Sequence, residues 1–406
     1  MTKKSSTPAI RFKGFTDTWE QRELWELTIW DKKFNEVEAE KQPKIVKYPY
    51  VLADVFSKIE DASGDVRLLS TGNYIGYTTD EKAGKNLCVG EVVAIPWGGV
   101  PNIKYYKGKF VTADNRIATS NDTETLGNRF LSLYLEHSLA FLQSIYRGAS
   151  IKHPSMNDVL SMQISIPHIQ EQREIETWFA NLDNLITLHQ RKYDKLTNVK
   201  KSMLEKMFPK NGSNVPEIRF KGFTEAWEQR KLGDVAKYRN GKAHENDISE
   251  QGKFIVVNSK FVSTNGEVRK FSNKQIEPLF KNEIAFVLSD VPNGRAIART
   301  FLVDKNDKYT LNQRIAGITP IEGTCPYFLH ILMNRNKYFL QFDDGAKQTN
   351  LSVDDVIEFA EYYPSSEEQQ QIGNFFRQLD NLITLHQREL EKLKNLKKAC
   401  LEKMFV

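Results

Sequence analysis

The sequence LDNLITLHQR stands at Leu182–Arg191 and recurs without a change at Leu379–Arg388. Each copy is followed by LEKMF, at Leu204–Phe208 and at Leu401–Phe405. A match of ten residues does not arise by chance, so the chain contains an internal duplication.

Around both copies, apolar residues recur at alternating spacings of four and three, which is typical of a coiled-coil seam. The stretch from Ile169 to Phe208 contains neither Pro nor Gly. It predicts a helix about 60 Å long at a rise of 1.5 Å per residue. We therefore predict two long helices that pair as an antiparallel coiled coil. The predicted helix-pairing residues are Ile175, Phe179, Leu182, Ile186, His189, Leu196, Ile372, Phe376, Leu379, Ile383, His386 and Leu393.

Two histidines lie near the middle of this seam. With two-fold symmetry, His189 and His386 could meet across the axis. A metal-binding or pH-sensitive site is one interpretation of the pair. The favoured interpretation is a polar residue that fixes the register, as a buried Asn does in coiled coils. Lys200 and Lys397 are interpreted as seam residues whose apolar stems are buried while their ammonium groups reach water.

A second repeat marks the start of each half of the chain. IRFKGFT occurs at Ile10–Thr16 and again at Ile218–Thr224. The segments between the repeated blocks differ in sequence and in length. This pattern indicates one scaffold that presents two different surfaces, although an old duplication without functional meaning gives the same repeats. The predicted division is a first variable domain (1–168), a first helix (169–208), a linker (209–217), a second variable domain (218–364) and a second helix (365–406).

The variable domains contain short β-branched runs bounded by turn formers, which predict strands. The predicted strands include Asp65–Ile75, Val89–Trp97, Gly252–Val262 and Asn282–Asp290. Longer apolar segments predict helices at Leu126–Tyr146 and Cys325–Phe342. The expected fold class is therefore α+β, with two mixed α/β domains in tandem, each followed by a long helix.

Polar residues in the variable domains are candidates for nucleic-acid contacts. TADNRIA at Thr112–Ala118 aligns with TLNQRIA at Thr310–Ala316, and Gly148–Leu160 aligns with Gly345–Ile357. Arg, Lys, Asn, Gln, Ser and Thr are the side chains that read base edges and phosphates; solvated loops have a similar composition. The first domain offers Ser70, Thr71, Asn73, Asn102, Lys104, Tyr105, Lys107, Lys109, Arg116, Lys152 and His153. The second offers Asn258, Ser259, Lys260, Asn293, Arg295, Arg299, Asn312, Gln313, Arg314, Lys347, Gln348, Thr349 and Asn350.

The composition excludes several classes of protein. Hydrophobic residues make up 40% of the 406 residues, which is typical of a globular protein. The three cysteines are far apart, so neither a disulfide framework nor a Cys-x-x-Cys metal site is expected. No P-loop or glycine-rich cofactor loop occurs, and we predict no catalytic site and no metal site in this chain. The start of the sequence does not resemble a signal peptide, so a cytoplasmic location is expected.

The repeated segments resemble the specificity subunit of type I restriction-modification systems. The likeness rests on RFKGFT…WEQR at the start of each half, on the Gly-Ala…Asp segment before each helix, and on the helix blocks at 166–208 and 363–405. The resemblance implies two target-recognition domains, each reading one half of a split, asymmetric DNA site. It also implies that the helix pair sets the gap between the half-sites.

The expected partners follow from the same resemblance. They are double-stranded DNA, two adenine-methylating modification subunits, and restriction subunits that translocate DNA. S-adenosylmethionine, ATP and magnesium are expected in those partners and no cofactor in this chain. Two alternatives stay open: a scaffold or decoy that binds modification subunits but not DNA, and a fused restriction-modification enzyme. No membrane partner is expected.

Overall fold

The structure, a computed structural model, describes residues 7–210, 212–292 and 294–406. The chain divides into two compact units, and the boundaries of these units do not coincide with those of the two repeated halves of the sequence. The first unit consists of the residues up to Gln190 together with Arg388–Val406. The second consists of Arg191–Gln387. Each unit is a mixed α/β body that also contains parts of both long helices. Within the described residues, no helix is both long enough and apolar enough to cross a membrane.

The first unit is built on a six-stranded mixed sheet. Its central strand, Cys88–Pro96, pairs antiparallel with Lys104–Thr112 on one side and Asn115–Ser120 on the other. The run from Val92 to Pro96 is buried, as expected for a strand covered on both faces. The sheet order is Thr28–Trp30, Asn115–Ser120, Cys88–Pro96, Lys104–Thr112, Val66–Leu69, Ile75–Thr78. The other strands are Glu20–Glu23, Tyr146–Arg147, His153–Pro154 and Gln163–Ile166; the short helices are Leu24–Leu27, Ala39–Lys41, Ala53–Ile59, Asp80–Ala83, Gly84–Asn86, Asn128–His137, Leu139–Ser144 and Met156–Leu160.

The second unit divides its strands between two four-stranded sheets. Its central strand, Ile284–Val287, pairs antiparallel with Ile315–Pro320 and with Thr300–Leu302. The first sheet has the order Ala236–Asn240, Ile315–Pro320, Ile284–Val287, Thr300–Leu302, and the second has Phe271–Ser272, Phe254–Val257, Tyr309–Leu311, Pro278–Leu279. The remaining strands are Glu228–Lys231, Ser289–Asp290, Thr349–Asn350 and Ala360–Tyr363; the short helices are Leu232–Val235, Glu245–Asp247, Ser259–Ser263, Pro326–Met333, Lys337–Leu340 and Val353–Ile357.

The repeated IRFKGFT segment anchors the start of each long helix. The long helices run from Ile169 to Lys206 and from Ser366 to Lys403. Arg11 forms a two-point ion pair with Glu171 at 2.7 and 2.8 Å. Arg219 makes the same pair with Glu368, at 2.7 Å for both bonds. Each glutamate side chain is 1% exposed, so these repeated residues are explained by a buried structural contact.

The end of each long helix completes the core of a unit. In the first unit, Phe405 lies 6.1 Å from Phe179 and 6.2 Å from Trp19, measured between ring centroids. In the second unit, Phe208 lies 6.1 Å from both Phe376 and Trp227. The repeated LEKMF segment therefore supplies the aromatic residue that closes each core.

Ion pairs confirm that the helices run antiparallel within each unit. Asp183, about one turn after Phe179, pairs with Lys397, about two turns before Phe405, at 3.0 Å in the first unit. The rings of Phe179 and Phe405 are also in contact. Lys200 pairs with Asp380 in the second unit, where Phe208 contacts Phe376. Both lysines are partly exposed, and each also pairs with an aspartate of the opposite helix.

The predicted helix-pairing residues differ in burial. Ile175, Phe179 and Leu182 are buried in the first unit, in one cluster with the end of the second long helix. Ile372, Phe376 and Leu379 are buried in the second unit, packed with the end of the first. The remaining six are partly exposed: Ile186, His189, Leu196, Ile383, His386 and Leu393. The meeting of the two histidines stays a prediction.

Five predicted elements are wrong in extent. The strand expected at Asp65–Ile75 ends at Leu69, and a new strand begins at Ile75. The strand expected at Asn282–Asp290 is interrupted after Val287. The strand expected at Gly252–Val262 ends at Val257, because the Asn258 side chain accepts a hydrogen bond from the Phe261 N–H at 2.9 Å and starts a helix. The helix expected at Leu126–Tyr146 is two helices that meet at Ser138. The helix expected at Cys325–Phe342 is also two, since Asn336 starts a second helix by accepting from the Tyr338 N–H.

Candidate nucleic-acid interface

Three segments that are distant in sequence converge at the end of the central strand of the first unit. The Trp97 N–H donates to the Asp114 carbonyl at 3.0 Å. The Gly99 N–H donates to the Lys152 carbonyl at 2.9 Å. His153 Nδ1 lies 2.7 Å from the carbonyl oxygen of Trp97. The structure thus brings the predicted residues Arg116, Lys152 and His153 to one place.

Trp97 organises this place, although the sequence analysis treated it only as the end of a strand. The Arg116 guanidinium lies 3.8 Å from the centroid of the Trp97 ring. The His153 ring lies 5.1 Å from the same residue. Gly98 lets the segments approach, because a Cβ there would lie 2.9 Å from Ile151 Cγ2. The sequence feature that could have pointed to Trp97 is its position at the end of a predicted strand, directly before Gly98 and Gly99.

A second group of predicted residues lies at the loop that joins two outer strands of the sheet. Asn102 Nδ2 donates to Asn73 Oδ1 at 3.1 Å, and the Ser70 hydroxyl donates to the Gly72 carbonyl at 3.0 Å. Thr71 lies between them in the chain and is partly exposed. The Lys104 ammonium donates to the Ser70 carbonyl. Its pKa is lowered to about 8, first by burial and then by the positive charge of Arg67.

Aromatic residues that the sequence analysis missed flank this loop. Tyr74 and Tyr77 are 42% and 41% exposed. Arg67 lies 5.2 Å from the Tyr77 ring centroid. Stacking aromatic rings next to unpaired cations are suited to nucleic-acid contacts. Residues of the edge strand Ile75–Thr78 alternate between exposed and buried, and this alternation places the Tyr77 side chain on the exposed face.

Three other predicted residues of the first unit are engaged by carboxylates. Lys107 pairs with Glu91 at 2.9 Å, and the Tyr105 hydroxyl donates to the same Glu91 at 2.9 Å. Lys109 pairs with Asp80 at 2.7 Å. The positive charges of Lys107 and Lys109 are therefore compensated inside the unit. Exposed pairs of this kind contribute only about 0–1 kcal/mol, so a phosphate could compete for these lysines.

The same three segments converge in the second unit. The Leu288 N–H donates to the Arg314 carbonyl at 3.0 Å, and the Leu351 N–H donates to the Leu288 carbonyl at 2.8 Å. The strand Ser289–Asp290 pairs with Thr349–Asn350. Gln348 Nε2 donates to the Ser289 hydroxyl at 2.7 Å. The alignment of the two divergent domains therefore corresponds to a shared arrangement at the end of the central strand.

The polar residues around this second place differ in accessibility. Gln348 and Asn350 are exposed, as is Lys347, whereas Thr349 is buried. Arg314 is exposed and adopts a left-handed backbone conformation with φ of 64°. Gln313 donates to Glu245, and Asn312 is partly buried.

An arginine cluster, formed by Arg295, Arg299 and Arg335, lies beside this place. Arg299 Nε donates to the Arg295 carbonyl at 2.6 Å, and the Arg335 N–H donates to the Ala298 carbonyl at 2.8 Å. Burial and the charges of the other two arginines lower the Arg299 pKa. None of the three forms an ion pair with a carboxylate of the described chain. Three uncompensated positive charges favour an anionic ligand such as a phosphate.

Two parts of the predicted set lie elsewhere. Asn258, Ser259 and Lys260 form the start of a short helix, and their side chains make no hydrogen bond with the converging segments. Asn293 lies outside the described residues. Arg335 was missed by the sequence analysis, because nothing in its local sequence indicates that a helix end places it beside Arg295. Across the described ranges, no group of three or more His, Cys, Asp or Glu side chains is arranged to hold a metal ion.

Comparisons with known proteins agree with this duplicated arrangement. The family model for the type I restriction modification DNA specificity domain matches twice, at residues 17–198 and 224–395. The type I restriction enzyme MjaVIII specificity subunit of Methanocaldococcus jannaschii is 26% identical over 291 residues, which are 66% of this chain and 67% of that protein. The crystal structure of the type I restriction-modification system S subunit from M. genitalium covers 98% of this chain and 99% of its own. It gives a TM-score of 0.72 at 15% identity, so it supports the fold alone.

Proposed function

Because the chain belongs to the family of type I restriction modification DNA specificity domains, we propose that it is the sequence-reading subunit of a type I restriction-modification complex. The observation that carries this proposal is the pair of matching places at the ends of the two central strands. Each place gathers divergent polar residues onto a common framework. One framework with two different polar surfaces is suited to reading two different half-sites.

Each unit reads one half of a split, asymmetric duplex site in this proposal. The place around Trp97 and Arg116 serves the first unit, and the place around Gln348, Asn350 and Arg314 serves the second. The arginine cluster and Lys104 supply contacts to phosphates. Phosphate contacts fix position on the duplex, and base contacts determine the sequence that is recognised.

The long helices set the gap between the half-sites and dock two adenine methyltransferase subunits. Support for docking comes from leucines that repeat in both copies and are exposed in both. Leu185 and Leu188 are 44% and 45% exposed, and their repeats Leu382 and Leu385 are 44% and 51% exposed. Apolar residues repeated on a surface are suited to a partner that binds twice.

The chemistry belongs to other subunits in this proposal. The chain has no catalytic site of its own, and the methyltransferase subunits bring S-adenosylmethionine. Restriction subunits that translocate DNA bring ATP and magnesium. The complex acts in the cytoplasm on double-stranded DNA.

The test is to co-express the chain with its modification subunit and to map methylated adenines across a genomic DNA. The expected result is one split motif with one modified adenine on each strand. An intact complex without motif-linked methylation would contradict the proposal and favour a scaffold or decoy. Methyl transfer by this chain alone would instead favour a fused enzyme.

A further inference from the structure

Two exposed amide side chains lie next to each other at the end of the central strand of the second unit. Gln348 and Asn350 are exposed, whereas Thr349 between them is buried. Asn350 lies opposite Ser289 in an antiparallel strand pair. Side chains two residues apart on a strand point to the same face, so Gln348 and Asn350 face the same side. We call these two residues the amide pair.

Hydrogen bonds within the unit hold the amide pair in place. Gln348 Nε2 donates to the buried Ser289 hydroxyl at 2.7 Å and to Asn350 Oδ1 at 3.4 Å. The segment before Gln348 is also fixed, because Asp344 Oδ1 accepts from the Ala346 N–H at 2.9 Å. Groups that are already ordered lose less conformational entropy when a ligand binds to them.

These bonds leave one acceptor and one donor of the amide pair available. Gln348 Oε1 accepts no hydrogen bond within the described chain, and the side chain that carries it is exposed. Asn350 Nδ2 has one contact, 3.5 Å from the Gln348 carbonyl oxygen, which is longer than an ordinary hydrogen bond. A ligand can therefore reach an acceptor on one amide and a donor on its neighbour.

The available groups distinguish between a phosphate and a base. Phosphate oxygens only accept hydrogen bonds, so a phosphate would place an acceptor against Gln348 Oε1. The amide pair is uncharged, and the unpaired positive charges of this unit lie on the arginine cluster. Asp290, the carboxylate on the paired strand, already accepts from the N–H groups of Val291 and Ile297 at 2.9 and 3.1 Å. A neutral ligand that both donates and accepts fits the amide pair better than a phosphate.

Adenine presents a donor and an acceptor side by side in the major groove, N6–H and N7, and these are the groups that Asn and Gln amides bind. Guanine presents two acceptors there, O6 and N7, so it would place an acceptor against Gln348 Oε1. We propose that the amide pair reads an adenine in the half-site bound by the second unit. Gln348 Oε1 accepts from N6–H, and Asn350 Nδ2 donates to N7. The inference rests on the proposed function and adds to it one base and two residues.

The first unit has different chemistry at the aligned positions. Ile151 aligns with Gln348, and His153 aligns with Asn350. Ile151 is 59% exposed, and it has neither a donor nor an acceptor in its side chain. His153 Nδ1 is engaged, since it lies 2.7 Å from the Trp97 carbonyl oxygen. The first unit therefore cannot make the same two bonds, and the contact belongs to one half-site only.

The first experiment leaves the protein unchanged. The co-expressed complex is given duplexes of its own mapped site in which each adenine, on either strand, is replaced in turn by 7-deazaadenine, which lacks the N7 acceptor. The adenine that is methylated leaves the base stack during the reaction, so we expect the sensitive adenine at another position. Binding should fall there by roughly 10-fold, as for the loss of one good base contact.

Two results of this experiment have different meanings. A mapped site in which no adenine outside the modified positions is sensitive overturns the role of the amide pair, and the proposed function stands. A complex that binds no split site overturns the proposed function as well.

The second experiment assigns the sensitive adenine to the amide pair. Asn350→Asp replaces the donor by an acceptor of the same size, and Gln348→Ala removes the acceptor. Each variant should lose roughly 10- to 100-fold of the discrimination at the sensitive A·T pair. Asn350→Asp should no longer respond to 7-deazaadenine there, whereas Gln348→Ala should keep that response, because Asn350 makes the contact to N7. Both side chains are exposed, so the thermal midpoint of either variant should change little.

The matched control lies in the first unit. Ile151→Ala changes the aligned exposed position and should leave the discrimination at the sensitive A·T pair unaltered. A uniform loss of affinity for all sequences in both amide-pair variants would indicate a phosphate contact and overturn the proposal. Unchanged discrimination at every A·T pair, or a loss confined to a G·C pair, would overturn it too.

Discussion

Asp31 illustrates how a single buried residue limits the stability of the first unit. Its side chain is 8% exposed and one carboxylate oxygen has no partner among the described residues. Burial is the main cause that raises its pKa to about 6. The native state therefore holds this proton more tightly than the unfolded chain does. The stability that the proton contributes is present below the unfolded pKa and is lost as the pH rises through about 6.

We expect Asp31→Asn to stabilise the first unit at pH 8 by about 1–3 kcal/mol, because each pKa unit corresponds to about 1.4 kcal/mol. The gain should shrink towards zero near pH 4. Urea unfolding at both pH values measures it. Asp17→Asn, at an exposed position, should show no comparable difference between the two pH values. An equal gain for Asp31→Asn at both pH values would contradict the explanation.

Arg299 belongs to a cluster without carboxylate partners, so we expect its charge to act on DNA phosphates. Arg299→Ala should weaken binding of the complex to every duplex by a similar factor. It should also lower the slope of log K against log salt by about 0.9, the value for one phosphate contact. Lys109→Ala should change the slope less, since Lys109 is already paired with Asp80. A loss confined to one base pair would argue against a phosphate contact.

At the scale of elements, the short segment that follows each long helix is a core component. Phe405 is 4% exposed and contacts Trp19, Phe130 and Phe179. Phe405→Ala should destabilise the first unit by about 3–5 kcal/mol, the range for a large buried aromatic residue. Hydrogen exchange should locate the loss in residues 7–190. Phe208→Ala is the matched change and should act on the second unit. Similar protection changes in both units for either variant would refute this assignment.

The exposed leucines of the helices give a prediction about partners. Leu185→Glu combined with Leu188→Glu should reduce the amount of modification subunit that co-purifies with the chain, since the apolar contact is replaced by charge. The thermal midpoint of the free chain should change little, because both side chains are exposed. Thr187→Glu, an exposed position between them, is the control. Unchanged co-purification of the double variant would mean that the partner binds elsewhere.

At the scale of the whole molecule, the duplication, the two long helices and the α+β class could be predicted from the sequence. Sequence repeats and the heptad spacing of apolar residues can be recognised in the sequence without knowledge of the tertiary structure. The places at the ends of the central strands could be predicted only in part. Trp97 meets Arg116 and His153 through strand pairing, and Arg335 reaches Arg295 from a different helix. Such contacts depend on register and on turn geometry, which short sequence patterns do not determine.

Two units on one chain should bind a split site far more tightly than either half. When one half-site of the mapped duplex is scrambled, affinity should fall by about 10²- to 10⁴-fold, because the second contact no longer benefits from tethering. Fluorescence anisotropy at fixed salt measures this. A duplex with both halves scrambled gives the non-specific baseline. Equal affinity for the intact and half-scrambled duplexes would show that only one unit contributes.

The boundaries of the compact units have a consequence for inheritance. One boundary falls between Gln190 and Arg191, and the other between Gln387 and Arg388. Both lie at the same step of the identical LDNLITLHQR segment. Two genetic crossovers, one in each copy of this segment, would replace the second unit, Arg191–Gln387, as a whole while leaving the residues at both junctions the same. New combinations of recognised half-sites could then arise by exchange of existing parts, without a period in which a lineage carries a misfolded intermediate.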